Sequence, residues 1–346
     1  GKIFPVRTAL AFEKSSPLGL PSKAFQGDSY YVGENLGPVA LITYYLKEGV
    51  KTKKQERQAS EAEAAKAGKG NSYPTYEDLK AERDEIKAEV LFTIKDNDGK
   101  VVRKLTRPVS AGVQRLEWDL RYASKEAIDL NKSGFYNPFA GKSEGTLVDA
   151  GIYSVSMALY QEGKMQPIGE VVRFEVQSLE ERAIPVAGRA EKVAFQREVA
   201  ELSRSMEGAQ RLIGELNNKL QYIQAAIKLA EIPSEELLAD ANTIATKLTD
   251  LRRQLFGDEL KRQLDIDQIP SPMTRIGWID YEQKYSMAAP TKTHRMSFDI
   301  AKKEFQPILN ALQTLATQDM PVLEQKLEEA DAPYTPGRAI KMMQGN

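Results

Sequence analysis

The sequence contains no cysteine and a single histidine, His294, among its 346 residues. The missing cysteines exclude disulfide bridges, thiolate nucleophiles and cysteine-ligated metals. One histidine cannot form a common zinc site, and no motif around any serine supports a Ser-His-Asp triad. The two glycine-rich motifs that bind phosphate groups, Gly-x-x-x-x-Gly-Lys-Ser/Thr and Gly-x-Gly-x-x-Gly, are both absent from the sequence. We therefore predict no catalytic residue, no metal and no cofactor, and we interpret His294 as a polar residue at a helix start.

An excess of charge of one sign and long apolar runs are also missing. The chain carries 48 basic and 49 acidic residues, so no global field attracts nucleic acid or an anionic membrane. The longest apolar runs, such as ALITYYL at 40–46, fall short of the roughly 20 residues that cross a bilayer. We predict a soluble chain without a membrane span. It begins at Gly1 with no signal-like region, which indicates a processed, tagged or excised chain.

The first half of the chain has the apolar period of two that is typical of β-strands. A chain of this length suits two domains of about 100 to 200 residues each. Short strands are predicted at 4–12, 39–47, 88–95, 100–107, 112–121, 152–160 and 168–177. Short strands broken by turn residues favour an antiparallel Ig-like β-sandwich as the first domain, over residues 1–178. The overall fold class is then a multidomain α+β protein.

A helical hairpin interrupts this pattern at about 53–88. The segment is rich in Ala, Glu and Lys, with a break at 68–71 and Thr75 placed to cap a second helix. Two interpretations apply, a partner-binding arm and a solvated decoration. We favour the decoration, because charged runs usually face water.

The second half, 179–346, changes to helical spacing after Pro185. Pro233 and Ser234 divide its first two helices, Gly257 ends the second, and Asp319 with Pro321 begins a fourth after a third over about 297–318. The predicted apolar seams are Phe195, Val199, Leu202, Met206, Ala209, Ile213, Leu216, Leu220, Ile223, Ile227; Leu237, Ala241, Ile244, Leu248, Leu251, Leu255; Phe305, Ile308, Leu312, Leu315; and Leu323, Leu327. Seams joined by short breaks favour an antiparallel helical bundle.

The stretch KDNDGK resembles the opening of a calcium loop, since Asp96, Asp98 and Gly99 have the required spacing. A full EF-hand loop also needs a bidentate Glu at its twelfth position, which here is Arg107, and helices on both sides. The flanks are predicted strands instead. We predict a β-hairpin turn with Gly99 in the left-handed region.

The stretch RIGWIDYEQKY offers the one candidate ligand or partner surface. Trp278, Tyr281 and Tyr285 fall at i, i+3 and i+7, which places them on one helical face. Exposed aromatic rings of this kind could stack against a sugar. A buried face explains the same spacing more readily, and that is the interpretation we favour.

Five stretches in order carry a family resemblance: PVRTALAF, GENLGPVALITYYLK, VLFTIKDNDGKVVRKL, AGVQRLEWDLRY and DAGIYSVSMAL. They resemble the C-terminal region of bacterial sortilin-like BNR-repeat proteins, which are labelled glycosyl hydrolases and in which a β-propeller precedes this region. The hairpin and the WDLR strand are also similar to the Ig-like module of flagellar hook-capping proteins. The likeness in sequence covers residues 4–178. The helical remainder is similar only in that such proteins commonly end in a helical bundle. One departure is Ala150, where relatives usually have proline.

The resemblance implies a sandwich fold and an exported setting, whether periplasmic, cell-surface or secreted. It implies structural roles for Trp118 in the core and for Arg121 in an ion pair. It implies no catalytic residue, because a glycosidase activity would belong to the propeller.

Two functions of different classes follow. The first is a non-catalytic accessory module that binds the β-propeller of its own polypeptide or another cell-surface protein. The alternative is a carbohydrate-binding module, or a fragment of a glycoside hydrolase, that binds a polysaccharide through Trp278 and its neighbouring tyrosines.

Overall fold

The computed structural model describes residues 1–13, 29, 33, 37–70, 73–124, 145–179, 188–230, 234–285 and 288–340. The chain folds into two units, each with its own core. The sheet unit holds the described residues up to 179, and the helical unit holds those from 188 onward. The predicted linker over 178–189 lies almost wholly outside the described residues.

The sheet unit is built from short strands whose side chains alternate between buried and exposed positions. The strands are β1 (Lys2–Ile3), β2 (Ala9–Ala11), β3 (Ala40–Leu46), β4 (Glu89–Lys95), β5 (Val101–Pro108), β6 (Gly112–Trp118), β7 (Gly151–Gln161) and β8 (Lys164–Ser178). They form a three-stranded sheet in the order β1-β3-β6 and a five-stranded sheet in the order β2-β8-β7-β4-β5.

The predicted antiparallel Ig-like sandwich is wrong. The strand expected at 4–12 shrinks to β2, which pairs in parallel with β8, while β1 lies before that range and pairs with β3 in the other sheet. The larger sheet is therefore mixed, and it curls into a half-barrel beside the smaller one. Pro5 has no N–H to donate to a ladder, which separates the two short strands. The alternation of side chains reports a buried face but not the direction of the partner strand.

Aromatic side chains from both sheets meet in one core. The rings of Tyr44 and Phe92 contact edge to face with centroids 4.8 Å apart, and the ring of Tyr153 lies 5.4 Å from that of Trp118. Trp118 is fully buried, and its indole N–H donates to the carbonyl of Arg121 at 2.9 Å. The Arg121 guanidinium pairs with Glu13 at 2.8 Å. Both structural roles expected for the WDLR motif are confirmed.

The helical arm comprises α1 (Lys53–Lys66) and α2 (Tyr76–Arg83), between β3 and β4. Thr75 caps α2 as predicted, because its hydroxyl accepts a hydrogen bond from the N–H of Asp78. Neither helix has a buried residue. The helices are joined instead by Arg57, which contacts Glu82 at 2.5 Å and Glu61 at 2.6 Å. The arm is therefore held by polar contacts and caps rather than by an apolar core.

The arm should lose its structure in acid before the rest of the unit does. The hydrogen bond from Arg57 lowers the pKa of Glu82, and the Thr75 hydroxyl lowers the pKa of Asp78. A carboxyl with a lowered folded-state pKa stabilises the fold above its unfolded value, and that contribution disappears as the pH falls through the folded value. We expect amide exchange protection in α1 and α2 to be constant from pH 7 to about 5 and to fall below about pH 4.5.

Arg57→Gln should weaken this protection at neutral pH and flatten its pH dependence, whereas Lys66→Gln, at an exposed position of α1, should change neither. Protection that is equally pH-dependent in both variants would contradict the assigned role of Arg57.

The helical unit contains α3 (Arg189–Leu229), α4 (Glu235–Phe256), α5 (Glu259–Gln263), α6 (Pro272–Tyr285), α7 (Lys292–Thr314), a π-helical segment (Leu315–Asp319) and α8 (Met320–Glu329). The predicted seam residues line one shared core, with Leu202 partly buried against it. Ser234 caps α4 through the N–H of Leu237, and Gly257 ends it with a φ of 86°. The burial of the seams and these helix limits are confirmed.

The last helices differ from the prediction. Helix α7 begins at Lys292, capped by Thr291, rather than near residue 297. Helix α8 begins at Met320 with Asp319 at its N-cap position and Pro321 in its first turn, as predicted, but the chain is helical without a break from α7 through the π segment into α8. Pro321 cannot donate the N–H that a continuous α-helix requires. The wider π turn immediately before it is a known way to accommodate such a defect within a helix.

Candidate functional site

The Asp96–Gly99 segment is the turn of the β4–β5 hairpin, as predicted. The N–H of Gly99 donates to the carbonyl of Asp96 at 3.0 Å, with a left-handed φ of 78° at Gly99. One carboxylate oxygen of Asp96 accepts the N–H of Lys100 at 2.8 Å, so it stabilises the turn itself. Within the described ranges, no three His, Asp or Glu side chains gather where they could hold a metal ion.

Calcium should leave the melting temperature unchanged. Millimolar Ca²⁺ is expected to shift it no more than an equal ionic strength of NaCl does, because a ligand stabilises only a fold that binds it. Differential scanning calorimetry in EGTA and in Ca²⁺ checks this. Stoichiometric binding of calcium that Asp98→Ala abolishes would contradict it.

His294 connects α6 to α7. Its Nδ1 lies 3.3 Å from the N–H of Thr291 and 3.0 Å from the side-chain nitrogen of Gln283. Both neighbours are donors, so Nδ1 accepts and the ring proton is on Nε2, which donates to Glu282 at 2.6 Å. The ring thus serves the capping box of α7, which confirms its predicted place at a helix start.

Two aromatic residues of α6 do not face the core. Trp278 and Tyr281 are each 60% exposed, and their rings lie nearly perpendicular with centroids 6.3 Å apart. The buried face of this helix is formed by Ile276, Ile279 and Gln283. The burial expected for Trp278 and Tyr281 is therefore wrong. Tyr285 is the last residue of α6, and its side chain is outside what the structure describes.

A further exposed apolar segment, residues 258–270 between α4 and α6, is here named the protrusion. Its large aliphatic side chains Leu260, Leu264, Ile266 and Ile269 are 49 to 79% exposed. The sequence prediction missed it. The sequence did contain a signal for it. In LDIDQI, at 264–269, aliphatic residues alternate with polar ones after the helix end at Gly257, and they continue none of the predicted helical seams.

Hydrogen bonds fix the backbone of the protrusion. The side chain of Gln268 accepts the N–H of Asp258 at 2.9 Å and donates to its carbonyl at 3.3 Å, which ties the two ends together. Asp258 caps α5, and a left-handed Asp265 lets the N–H of Ile266 reach the carbonyl of Lys261 at 2.9 Å. The exposed aliphatic side chains are therefore held on an ordered loop.

A cleft of about 640 Å³ lies beside the protrusion, within the helical unit. Its apolar lining comes from Ile213, Leu248, Phe256 and Met273. Arg252 is exposed at this cleft, and its guanidinium makes no ion pair or hydrogen bond with the rest of the described chain.

The arm of the sheet unit carries a third exposed surface, here named the arm stripe: Tyr73, Tyr76, Leu79 and Ile86. Tyr73 is 94% exposed, Tyr76 73% and Ile86 70%. Tyr76 and Leu79 fall at i and i+3 of α2, so they share one side of that helix.

Comparisons with known proteins do not assign a family. A scan against protein-family models gives no match, and no curated protein matches the chain. The resemblance to sortilin-like BNR-repeat proteins therefore stays a prediction. Among the helices that the structure describes, none combines the length and the apolar character that a bilayer requires.

Proposed function

We propose that this chain is a non-catalytic accessory module that binds other proteins, and the arm is the observation that carries the proposal. Its two helices bury no residue, so they add nothing to the core of their own unit. Short isolated helices are only marginally stable in water. The arm nevertheless exposes the aromatic and aliphatic side chains of the arm stripe, of which Tyr76 and Leu79 share one side of α2, and exposed apolar patches mark interaction sites.

The partner proposed is the β-propeller of the same polypeptide or another cell-surface protein, in an exported setting. The sequence resemblance supports this choice. The matching residues themselves have structural roles, because Trp118 is packed in the core and Asp96 stabilises its turn, which agrees with a non-catalytic module. A surface of projecting rings suits a partner with concave pockets, since buried aromatic anchors supply most of the energy in such interfaces.

Site-specific photo-cross-linking tests the arm stripe. A benzophenone amino acid is placed at Tyr76, and in a matched variant at Ala65, an exposed position of α1 outside the arm stripe. Irradiation of the source cells should give a discrete cross-linked protein with the Tyr76 variant only. Identical cross-linked products from the Tyr76 and Ala65 positions, or no product from either, would contradict the proposal. Identification of the product by mass spectrometry distinguishes a propeller from another surface protein.

A second candidate function is carbohydrate binding, favoured by the exposure of Trp278 and Tyr281. The faces of aromatic rings bury the apolar faces of sugars, and a ring exposed on a rigid helix can offer such a contact. A polysaccharide panel tests this idea with Trp278→Ala. The matched control is Tyr222→Ala, which removes an exposed ring from α3. Binding that is lost only with Trp278→Ala supports this candidate, and the absence of binding by the unaltered chain removes it.

A further inference from the structure

We propose that the protrusion and its adjacent cleft form a self-association surface, and that the occupant is a second copy of this chain. The surface belongs to the helical unit and is separate from the arm stripe, so this inference does not depend on the proposed function. Three observations carry it: the ordered apolar side chains, the cleft beside them, and unpaired charges of opposite sign.

The apolar side chains of the protrusion are preorganised. Leu264 is 60% exposed and Ile269 is 79% exposed, although the Gln268 side chain clamps the loop at both ends. An ordered loop loses little conformational entropy when it is covered. Burial of its aliphatic surface would then contribute its transfer free energy almost undiminished. Such a loop is suited to a rigid complementary surface.

The cleft supplies such a surface directly beside the protrusion in the helical unit. Glu259, Arg262 and Gln268 belong to the protrusion and also line the cleft, so the projecting and receiving elements share a wall. A two-fold dimer needs one self-complementary patch on each copy. Here the protrusion of one copy can enter the cleft of the other while the reverse contact forms at the same time. Its aliphatic side chains would then meet the apolar lining of the cleft.

The cleft and the protrusion also carry unpaired charges of opposite sign, so each copy offers both partners of an ion pair. The Arg252 guanidinium at the cleft is exposed and unpaired, and the exposed carboxylates of Asp265 and Asp267 on the protrusion make no ion pair or hydrogen bond anywhere in the described chain. A dimer of this kind brings Arg252 of each copy toward the protrusion anions of the other, whereas the second cation that lines the cleft, Arg262, already pairs with Glu259. Opposite charges at an interface rim mainly set specificity and register. We assign the pairing to Arg252 and Asp267, because Asp265 occupies the left-handed position of the turn.

Sedimentation velocity of the purified full chain at about 1 to 100 µM tests the proposal. The unaltered chain should dimerise within this range. Leu264→Asp should weaken association at least about tenfold, since it places a charge in the apolar contact. Met296→Asp, at an equally exposed apolar position of α7, should leave association unchanged. Circular dichroism checks that both variants keep their helix content.

A charge exchange tests the register. Arg252→Asp alone should weaken the dimer, and addition of Asp267→Arg should restore it, since the double variant re-forms the pair with reversed signs. A chain that is monomeric at every concentration overturns the proposal, as does a dimer that Leu264→Asp leaves intact. A benzophenone amino acid placed at Ile269 gives a further test. If it cross-links to a different protein and the purified chain is monomeric, the proposal is also overturned. Cross-links from the arm stripe are unaffected by these outcomes, so the two proposals fail separately.

Discussion

Leu220→Ala is expected to lower the unfolding free energy of the helical unit by about 2 to 5 kcal/mol. Leu220 is 2% exposed, sits within α3, and belongs to the core shared by α3, α4, α6, α7 and α8. Truncation removes apolar contacts and leaves a cavity that rigid neighbouring helices fill only in part. Urea unfolding followed by circular dichroism at 222 nm measures the loss, because the helical unit contains most of the described helical residues.

Asn218 provides the matched control two positions away. It is exposed on the same helix, and Asn218→Ala should change stability by no more than about 0.5 kcal/mol. Lys219 cannot serve, although its place beside the seam predicts an outward position. Its ammonium lies 2.6 Å from a carboxylate oxygen of Glu324 that is itself buried, so its removal leaves that oxygen without a cation. Equal stability of the Leu220 and Asn218 variants would refute the core assignment.

Phe92→Ala should destabilise the sheet unit by about 3 to 5 kcal/mol. The ring is fully buried on β4 and makes an edge-to-face contact with Tyr44 on β3, so it joins the two sheets. Such aromatic pairs contribute about 0.5 to 1.5 kcal/mol beyond their buried area. Both the cavity and the lost ring contact therefore act on the junction between the sheets.

The distribution of tryptophan makes this measurement specific to one unit. The chain has two tryptophans, Trp118 in the sheet unit and Trp278 in the helical unit. In a Trp278→Phe background, the fluorescence of buried Trp118 reports unfolding of the sheet unit alone. Lys104→Ala, at an exposed position of β5, is the control and should stay within about 0.5 kcal/mol. If the Phe92→Ala variant is as stable as that control, the assignment of Phe92 to the core of the sheet unit is wrong.

Local signals in the sequence determined much of the secondary structure. The alternation in ALITYYL predicts the strand that became β3, and the caps Thr75, Ser234 and Gly257 lie where capping chemistry placed them. The hairpin turn at Gly99 follows from the left-handed backbone that glycine adopts without steric cost. Each of these features depends on a few neighbouring residues, so the sequence alone was sufficient.

Only the tertiary structure decided which face of α6 is buried. Trp278, Tyr281 and Tyr285 have the spacing i, i+3, i+7, and Ile276, Ile279 and Gln283 have the same spacing on another side of the helix. Periodicity cannot choose between two such stripes. The choice follows from the neighbouring helices, whose core accepts the two isoleucines and Gln283.

The same limit explains the strand order. Whether Ala9–Ala11 continues a strand of the small sheet or pairs in parallel with Val176–Ser178 depends on contacts between segments more than 160 residues apart. Local patterns in the sequence predicted most of the strands and helices and the apolar residues of each seam, but not the bounds of β2 and α7 or the short helix α5. Their partners were decided only by the tertiary structure, because packing between distant segments selects among faces and directions that local patterns leave equivalent.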